Sequence, residues 1–418
     1  MIAPTPDLAR GLFHVLIIGG GIAGPALALF LRKAGISCTV YEAYPQSVGV
    51  GGGFNLAPNG MNVLAALGLA EKIRSLGAPA LENCFRSETG WVLARFANGG
   101  SRYGQDSVSM LRADLQELLA KELSRLNIPV ETGKRLVGLI QTEKKVVARF
   151  ADGTSAEGDI LIGADGIHSQ TRTCLFPEGP GPKPVGIVGF GGVAGGAAVP
   201  DLSHRDKQSL NFTFGGRGFF GYCGAQGEDV MWWTNLPDDL QANSGEPATE
   251  SNFPRDDEDR VLKSQLLARF QGYHKPVEAL IAHSGPILQI KIFDIPSLPT
   301  WHQNRVVLIG DAAHAVSPNA GQGASMALED AIYLAKLLRP NPHEWARAFA
   351  RFERDRKPRA ERIVAEGRRR SSDKRIVSPA KSIARNLMLA LILRIFGNSG
   401  LDWLYRYRVD WDEPIRVA

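Results

Sequence analysis

The chain has 418 residues, of which 44% are hydrophobic and 22% charged, with a formal net charge of +5. That length suits two or three domains, and the balance excludes a disordered or collagen-like chain. No run of about 18 apolar residues suggests a spanning helix. The charge is local: residues 351–385 hold 13 Lys/Arg against 5 Asp/Glu, which leaves the remainder slightly acidic. A nucleic-acid binder would spread its basic residues or interleave them with aromatics, so no nucleic-acid partner is expected. The glycines are local too, with 14 of the 46 inside residues 179–227.

In chain order, HVLII (14–18) is a short apolar run that stops at GGGIAG, followed by a helical pattern over 25–35 and a strand, SCTVYEA (37–43). This is a βαβ opening. Residues 55–70 read as a helix bounded by Pro58 and Gly68. DLQELLAKELSRL (114–126) is an amphipathic helix with Leu115, Leu118, Leu119, Leu123 and Leu126 on one face, and Asp114 with Glu117 resembles a capping box. VVARF (146–150), the Asp152-Gly153 turn and a return strand predict a hairpin, before a buried strand at 160–163.

From about 186 to 240 short apolar and aromatic runs alternate with Gly, as in SLNFTFGG, GFFGYCG and DVMWWTNLP. That pattern predicts a β-rich insertion. Residues 237–260 read as an exposed polar loop. Helix resumes at 261–271, RVVLIG (305–310) is a buried strand, and a long helix is expected from 323 to 338. Cys38, Cys84, Cys174 and Cys223 lie too far apart in sequence for a metal or redox motif and read as buried thiols. No metal is expected. The first fifteen residues show no signal-peptide core, so the expected setting is reducing and cytoplasmic.

Gly19, Gly21 and Gly24 form G-x-G-x-x-G between a strand and a helix. Such a turn lets backbone approach a pyrophosphate at a helix N-terminus. Glu42, 23 residues after Gly19, ends the second strand where a ribose hydroxyl would be accepted. Two further motifs stand downstream: GADGIHSQTR (163–172) and GDAAHAVSPNAGQGASMALEDA (310–331).

With these three motifs in this order, the chain resembles the group A FAD-dependent monooxygenases, the aromatic hydroxylase type that includes salicylate hydroxylases and tetracycline-modifying monooxygenases. The resemblance covers roughly residues 13–370. It implies an α/β fold: a Rossmann-like FAD-binding domain with an inserted β-rich substrate domain and a C-terminal helical segment. The expected boundaries are 1–78, 105–182 and 288–365 for the FAD-binding domain, 79–104 and 183–287 for the substrate domain, and 366–418 for the helical segment. It also implies FAD as cofactor, NAD(P)H as co-substrate and dioxygen as reactant, with oxygen passing through a C4a-hydroperoxyflavin to an aromatic or polycyclic molecule.

Residue by residue, the resemblance places Gly19, Gly21 and Gly24 at the FAD pyrophosphate, Glu42 at the adenosine ribose, Arg112 against FAD, Asp165 of the DG motif as a cofactor-binding residue linked to both FAD and nicotinamide cofactor use, Asp311 at the ribityl or ribose region, and Pro318, Gly321 and Gly323 beside the isoalloxazine ring. The segment 319–325 opens a helix whose N–H groups would face the flavin N1–C2=O locus. Gly53, with Gly52 and Asn55, would let the backbone pass the ring. Substrate residues should come from the β-rich insertion. Arg217 is a candidate to orient an anionic or phenolic substrate, or simply a turn arginine. Phe212, Phe214, Tyr222, Trp232 and Trp233 are candidate aromatic walls or core fillers. His314 reads as structural, with a base role as the alternative. Where many relatives carry an arginine-glycine pair, this chain has VGFGGVAGG.

The alternative function is a flavin-dependent reductase of a prenyl or other alkene without oxygen transfer. NLMLALILRIF (386–396), following the basic segment, is too short to span a bilayer. It is expected either to pack on the protein or to make weak contact with a membrane surface.

Overall fold

The computed structural model describes residues 13–45, 52–237, 256–372 and 378–414. The βαβ opening is β1 (His14–Ile18), α1 (Ala23–Lys33) and β2 (Ser37–Tyr41). Next come β3 (Gly53–Leu56), α2 (Pro58–Ala66), α3 (Ala70–Leu76), β4 (Ala78–Ala80) and the hairpin β5 (Glu82–Ser87) with β6 (Val92–Ala97). The chain continues through β7 (Ser107–Leu111), α4 (Arg112–Arg125), β8 (Val130–Glu131), the meander β9 (Leu136–Gln141), β10 (Val146–Phe150) and β11 (Ser155–Gly158), then β12 (Ile160–Gly163) and α5 (Gln170–Leu175). The insertion comprises β13 (Lys183–Ala194), α6 (His204–Lys207), β14 (Ser209–Phe214), β15 (Phe219–Gly224), β16 (Val230–Pro237), α7 (Asp256–Phe270), α8 (Val277–Ala282) and β17 (Leu288–Asp294). The chain closes with β18 (His302–Gln303), β19 (Val306–Leu308), α9 (Asp311–His314), α10 (Gly323–Leu338), α11 (Trp345–Ser372), α12 (Pro379–Gly400) and α13 (Asp402–Tyr405).

Six strands form one sheet in the order β18-β19-β12-β1-β2-β8. β1 lies parallel between β2 and β12, and β19 lies parallel beside β12. The apolar runs of β1, β12 and β19 are wholly buried because helices cover the sheet. A second sheet of seven strands runs β17-β13-β16-β15-β14-β5-β6. The described residues form three buried clusters: a large one around the parallel sheet, a smaller one between the seven-stranded sheet and α7 and α8, and a third on the sheet's other face around Leu210, Cys223 and Met231.

Several expectations shift. The helix placed at 55–70 begins only at Pro58, because Gly53–Leu56 pair with β7 as a strand. Asp114 does not cap α4: β7 runs straight into the helix, Leu111 is the N-cap, and Asp114 falls in the acid-favouring first turn. β17 pairs with β13, so the seven-stranded sheet extends past the boundary at 287. α11 is a single helix across 365–366 with Pro358 inside it, and no break falls at that boundary. The loop expected over 237–260 ends early, because α7 starts at Asp256; its residues 238–255, Gly49 and Gly51, and residues 373–377 of the basic segment lie outside the described residues.

Candidate functional site between the two sheets

Topology gathers the three motifs. β1, β12 and β19 are neighbours in register, Ile18 opposite Gly163 and Gly163 opposite Leu308. The loops leaving their C-terminal ends are GGGIAG, ADGIHS and GDAAH. Three segments separated by well over a hundred residues thus meet where the strand order reverses around β1, which is where open α/β sheets bind ligands.

At this crevice the backbone comes very close to itself. Gly19 has φ +112° and a Cβ there would sit 2.3 Å from the Ala164 carbonyl oxygen. A Cβ on Gly24 would fall 2.0 Å from the Gly19 carbonyl oxygen. Gly21 is different, since the nearest atom to a Cβ there is Gln116 Nε2 at 4.0 Å, leaving room over the turn. Glu42 accepts from Gly20 N at 2.6 Å and from Tyr44 N at 3.0 Å, so the acid stands at the turn. Arg112 is exposed at the first residue of α4, with no ion-pair partner among the described residues. Gln116, one turn on, keeps a buried Oε1 without a hydrogen bond. Sequence reasoning missed Gln116; its signal was the i, i+4 spacing from Arg112, which puts both on one helix face.

Asp165 is turned inward. It accepts from Ser169 Oγ (2.5 Å), Thr171 N (2.9 Å) and Thr171 Oγ1 (2.9 Å), and burial pushes its carboxyl up from the usual range. It locks the loop before α5. Asp311 opens α9, and a Cβ on Gly323 would lie 3.9 Å from Asp311 Oδ1. Pro318 and Gly321 bracket a short 3-10 turn that leads into α10 at Gly323.

Behind that turn lies a buried ion cluster. Arg356 of α11 meets Asp330 at 2.8 Å and Glu329 at 2.7 Å. Arg359 meets Glu329 at 2.8 Å. Asn59 donates to Glu329 (2.6 Å) and to Gln322 (2.9 Å), and Asp330 accepts from Gly310 N at 2.9 Å. His314 belongs to this cluster. Its Nε2 is 2.6 Å from Asp330 and its ring lies 5.0 Å from Trp301. Burial works against the Asp330 charge, but His314 and Arg356 hold its carboxyl down at about 2. His314 is thereby placed as a strut of the loop, and this placement opposes the base role.

The seven-stranded sheet faces the crevice with one side. A Cβ on Gly53 would strike Met231 Sδ at 2.0 Å, and Asn235 donates to Asn319 at 2.6 Å. Met231, Trp233 and Asn235 alternate on one face of β16, so this face looks toward β3 and the turn at Pro318–Ala320. The same face carries a chain of rings. Phe212 lies 6.1 Å from Trp233 and 5.0 Å from Phe85, Phe214 lies 5.4 Å from Phe219, and Phe85 lies 5.5 Å from Phe96.

The five candidate wall residues therefore separate. Phe212, Phe214 and Trp233 stand on the crevice face. Tyr222 and Trp232 stand on the other, where Trp232 stacks on Phe220 at 5.4 Å and donates to Ser284 at 3.1 Å. Arg217 also goes to the other side: exposed on the β14–β15 turn, it donates to Gln271 O and lies 5.5 Å from the Tyr273 ring. That placement opposes a role as an orienting group for a substrate in the crevice. Cys38, Cys84 and Cys223 are buried free thiols, and burial pushes Cys38 and Cys223 up to about 12; Cys174 is only half-buried.

Residues 13–367 match the model of the FAD binding domain family. The chain belongs to that family, and within it to the group A FAD-dependent monooxygenases, enzymes that consume NAD(P)H. Aurachin C monooxygenase/isomerase of Stigmatella aurantiaca is 31% identical over 84% of this chain and 87% of its own length. 6-Hydroxynicotinate 3-monooxygenase of Pseudomonas fluorescens is 30% identical over 84% of this chain and 89% of its own. The crystal structure of Klebsiella pneumoniae HpxO with FAD and uric acid shares the fold at a TM-score of 0.79 and 26% identity, covering 93% of this chain and 96% of that one.

Proposed function

We propose that this monooxygenase hydroxylates an aromatic or polycyclic small molecule held against the ring-lined face of the seven-stranded sheet. The observation that carries the reading is the pairing of that face with the crevice through Met231–Gly53 and Asn235–Asn319. The names of relatives acting on 6-hydroxynicotinate or holding uric acid support a planar ring.

The cradle fits FAD: the tight crossing at Gly19 and Gly24 and the open side of Gly21 suit a dinucleotide pyrophosphate, Arg112 has no ion-pair partner among the described residues, and the orphaned Gln116 oxygen can accept from a donor group of the cofactor. In this reading Gly19, whose own N–H donates to Tyr41 O, makes the tight turn, Gly21 and Gly24 offer backbone N–H groups to the pyrophosphate, and Arg112 adds charge. Glu42 accepts from the adenosine ribose, and Asp311 lies along the ribityl chain. Gly53, Pro318, Gly321 and Gly323 pass the ring. Asp165 acts one step removed, by holding its loop. Bound there, FAD supplies the redox chemistry, taking hydride from NAD(P)H and activating dioxygen.

The balance is substrate–H, dioxygen, NAD(P)H and a proton going to substrate–OH, NAD(P)+ and water. The chain's own part is to orient and to keep dry. Phe85, Phe212, Phe219 and Trp233 give an apolar surface, with Trp233 edge-on to Phe212, that excludes water from the reacting edge. The N-terminus of α10 presents N–H groups toward the crevice, where negative charge is stabilised. We place the enzyme in the reducing cytoplasm, in keeping with its free thiols.

The test is NAD(P)H oxidation across a panel of aromatic metabolites, with products analysed for oxygen from labelled dioxygen. One labelled atom per turnover is expected. A product that carries no label overturns the reading in favour of the alkene reductase.

A further inference from the structure

α12 is built inside out. Its polar side chains Ser382 and Asn386 are buried with Ala390 and Gly397 against the seven-stranded sheet. Asn386 donates to Phe214 O, Arg385 to Gly215 O and Arg394 to Leu93 O, while a Cβ on Gly397 would meet the Phe96 ring. The apolar side chains point away. Ile383, Leu387, Met388, Leu391, Ile392, Ile395 and Phe396 are all 44–64% exposed. They form two adjacent i, i+4 columns on one face. An exposed apolar patch of this continuity marks an interaction surface.

The helix is firmly mounted, so the face is presented and not frayed. Beyond it, α13 and the tail return to the FAD-binding domain, where Arg359 donates to Trp403 O and Leu404 O, Lys336 donates to Asp410 O and Arg339 to Trp411 O. Leu404, Tyr405 and Trp411 are buried there. The two expectations for the C-terminal segment are thus divided between its parts: the tail packs on the protein, and the outer face of α12 does not.

We infer that this face docks on an anionic lipid surface. Charge selects that occupant. Residues 374–401 contain five Lys/Arg and no Asp or Glu, and Lys381 and Arg394 are exposed at the two ends of the apolar columns. A basic helix with an outward apolar face is the pattern of an interfacial helix. A second copy of the chain suits the face poorly, because it brings the same positive charge together. The patch is also small, about 21 Å long for its 14 residues. One helix face of that length falls well short of the roughly 800 Å² per partner of a stable dimer. No helix among the described residues is long and apolar enough to cross a membrane, so the contact is peripheral. Trp91 is exposed two residues from Leu93, the strand position that holds Arg394, and adds an interface-favouring ring beside the helix. The opposite side of α12 touches Phe214 and Phe96, so the lipid surface would lie one helix away from the substrate face.

The experiment is flotation of the full-length, FAD-loaded protein with phosphatidylcholine vesicles containing about 30% phosphatidylserine, beside neutral vesicles. Wild type should float with the anionic vesicles, release at high salt and bind neutral vesicles weakly. Leu387→Glu with Leu391→Glu should cut the bound fraction roughly tenfold or more. Both positions are solvent-facing, and an unchanged flavin-to-protein absorbance ratio shows that the variant is folded. Wild type that stays in the dense fraction, a variant that floats like wild type, or equal binding to neutral vesicles overturns the inference. So does a concentration-dependent dimer that the double variant dissociates without any vesicle binding.

Discussion

At the ends of β1, β12 and β19 the chain offers backbone: glycines, a helix N-terminus and loops locked by Asp165 and Asp330. Across the crevice β14, β15 and β16 offer rings. The first region is built to a tolerance of tenths of an ångström, since the Gly24–Gly19 crossing leaves no room for one methyl. The second is a surface of interchangeable apolar groups spaced 5–6 Å apart. A shared cofactor demands the former; the latter is free to follow a substrate. Relatives near 30% identity are named for different molecules, as a ring surface free to follow its substrate allows.

The largest effect should come from the tight end. Gly24→Ala forces the Gly19 carbonyl away, and we expect protein that retains no FAD, with NAD(P)H oxidation down on the order of 100-fold or more. Flavin absorbance after gel filtration reads this directly. An alanine variant with normal flavin content breaks the proposed distinction between the regions.

Next is the frame behind the crevice. Arg356→Ala removes the cation shared by the buried Glu329 and Asp330, leaving Glu329 only Arg359 and Asp330 only His314 as charged partners, at a cost of about 3–5 kcal/mol in urea unfolding. A loss below about 1 kcal/mol means the cluster is not what holds the loop.

Adjacent tryptophans then separate the two faces of the sheet. Trp232→Ala empties a core position and should cost about 3–5 kcal/mol of stability. Trp233→Ala should leave stability and flavin content nearly intact while lowering kcat/KM roughly tenfold for a ring substrate. If the two variants behave alike, the division of the sheet is wrong.

Acid stability is a smaller effect. The Asp330 carboxyl is held at about 2, below its unfolded value, so its contribution is complete above about pH 5 and is lost as pH falls toward 2. For a shift of this size the loss is roughly 2 kcal/mol. Thermal melts from pH 5 to 3 should show the decline, and Asp330→Asn should flatten it. Smallest of all is Arg217→Ala, which removes an exposed turn arginine that contacts Gln271 and Tyr273 and should change kcat/KM by less than about twofold.

Legibility follows the same division. The tight turn of Gly19, Gly21 and Gly24 after β1, with Glu42 standing at it, was readable because such a turn needs particular residue types at fixed spacing. The strands at 209–214, 219–224 and 230–237 were readable from alternation. Which way each strand faced was not. Trp232 and Trp233 are equivalent in composition, and only pairing with β13 and β15 sends one to the core and the other to the crevice. Nor could spacing reveal that His314 is tied to Asp330, sixteen residues on, or that Asp165 spends its oxygens on Ser169 and Thr171.

The amino-acid order alone thus determined the parallel nucleotide fold, its cofactor and the location of the β-rich insertion. These follow from local rules of turn geometry and periodicity, which act within a few residues. Only the tertiary structure decided which rings line the crevice, that Arg217 and His314 stand outside it, and that α12 turns its apolar side outward. Those outcomes depend on which surface each element meets, and contacts between residues hundreds of positions apart leave no trace in local pattern.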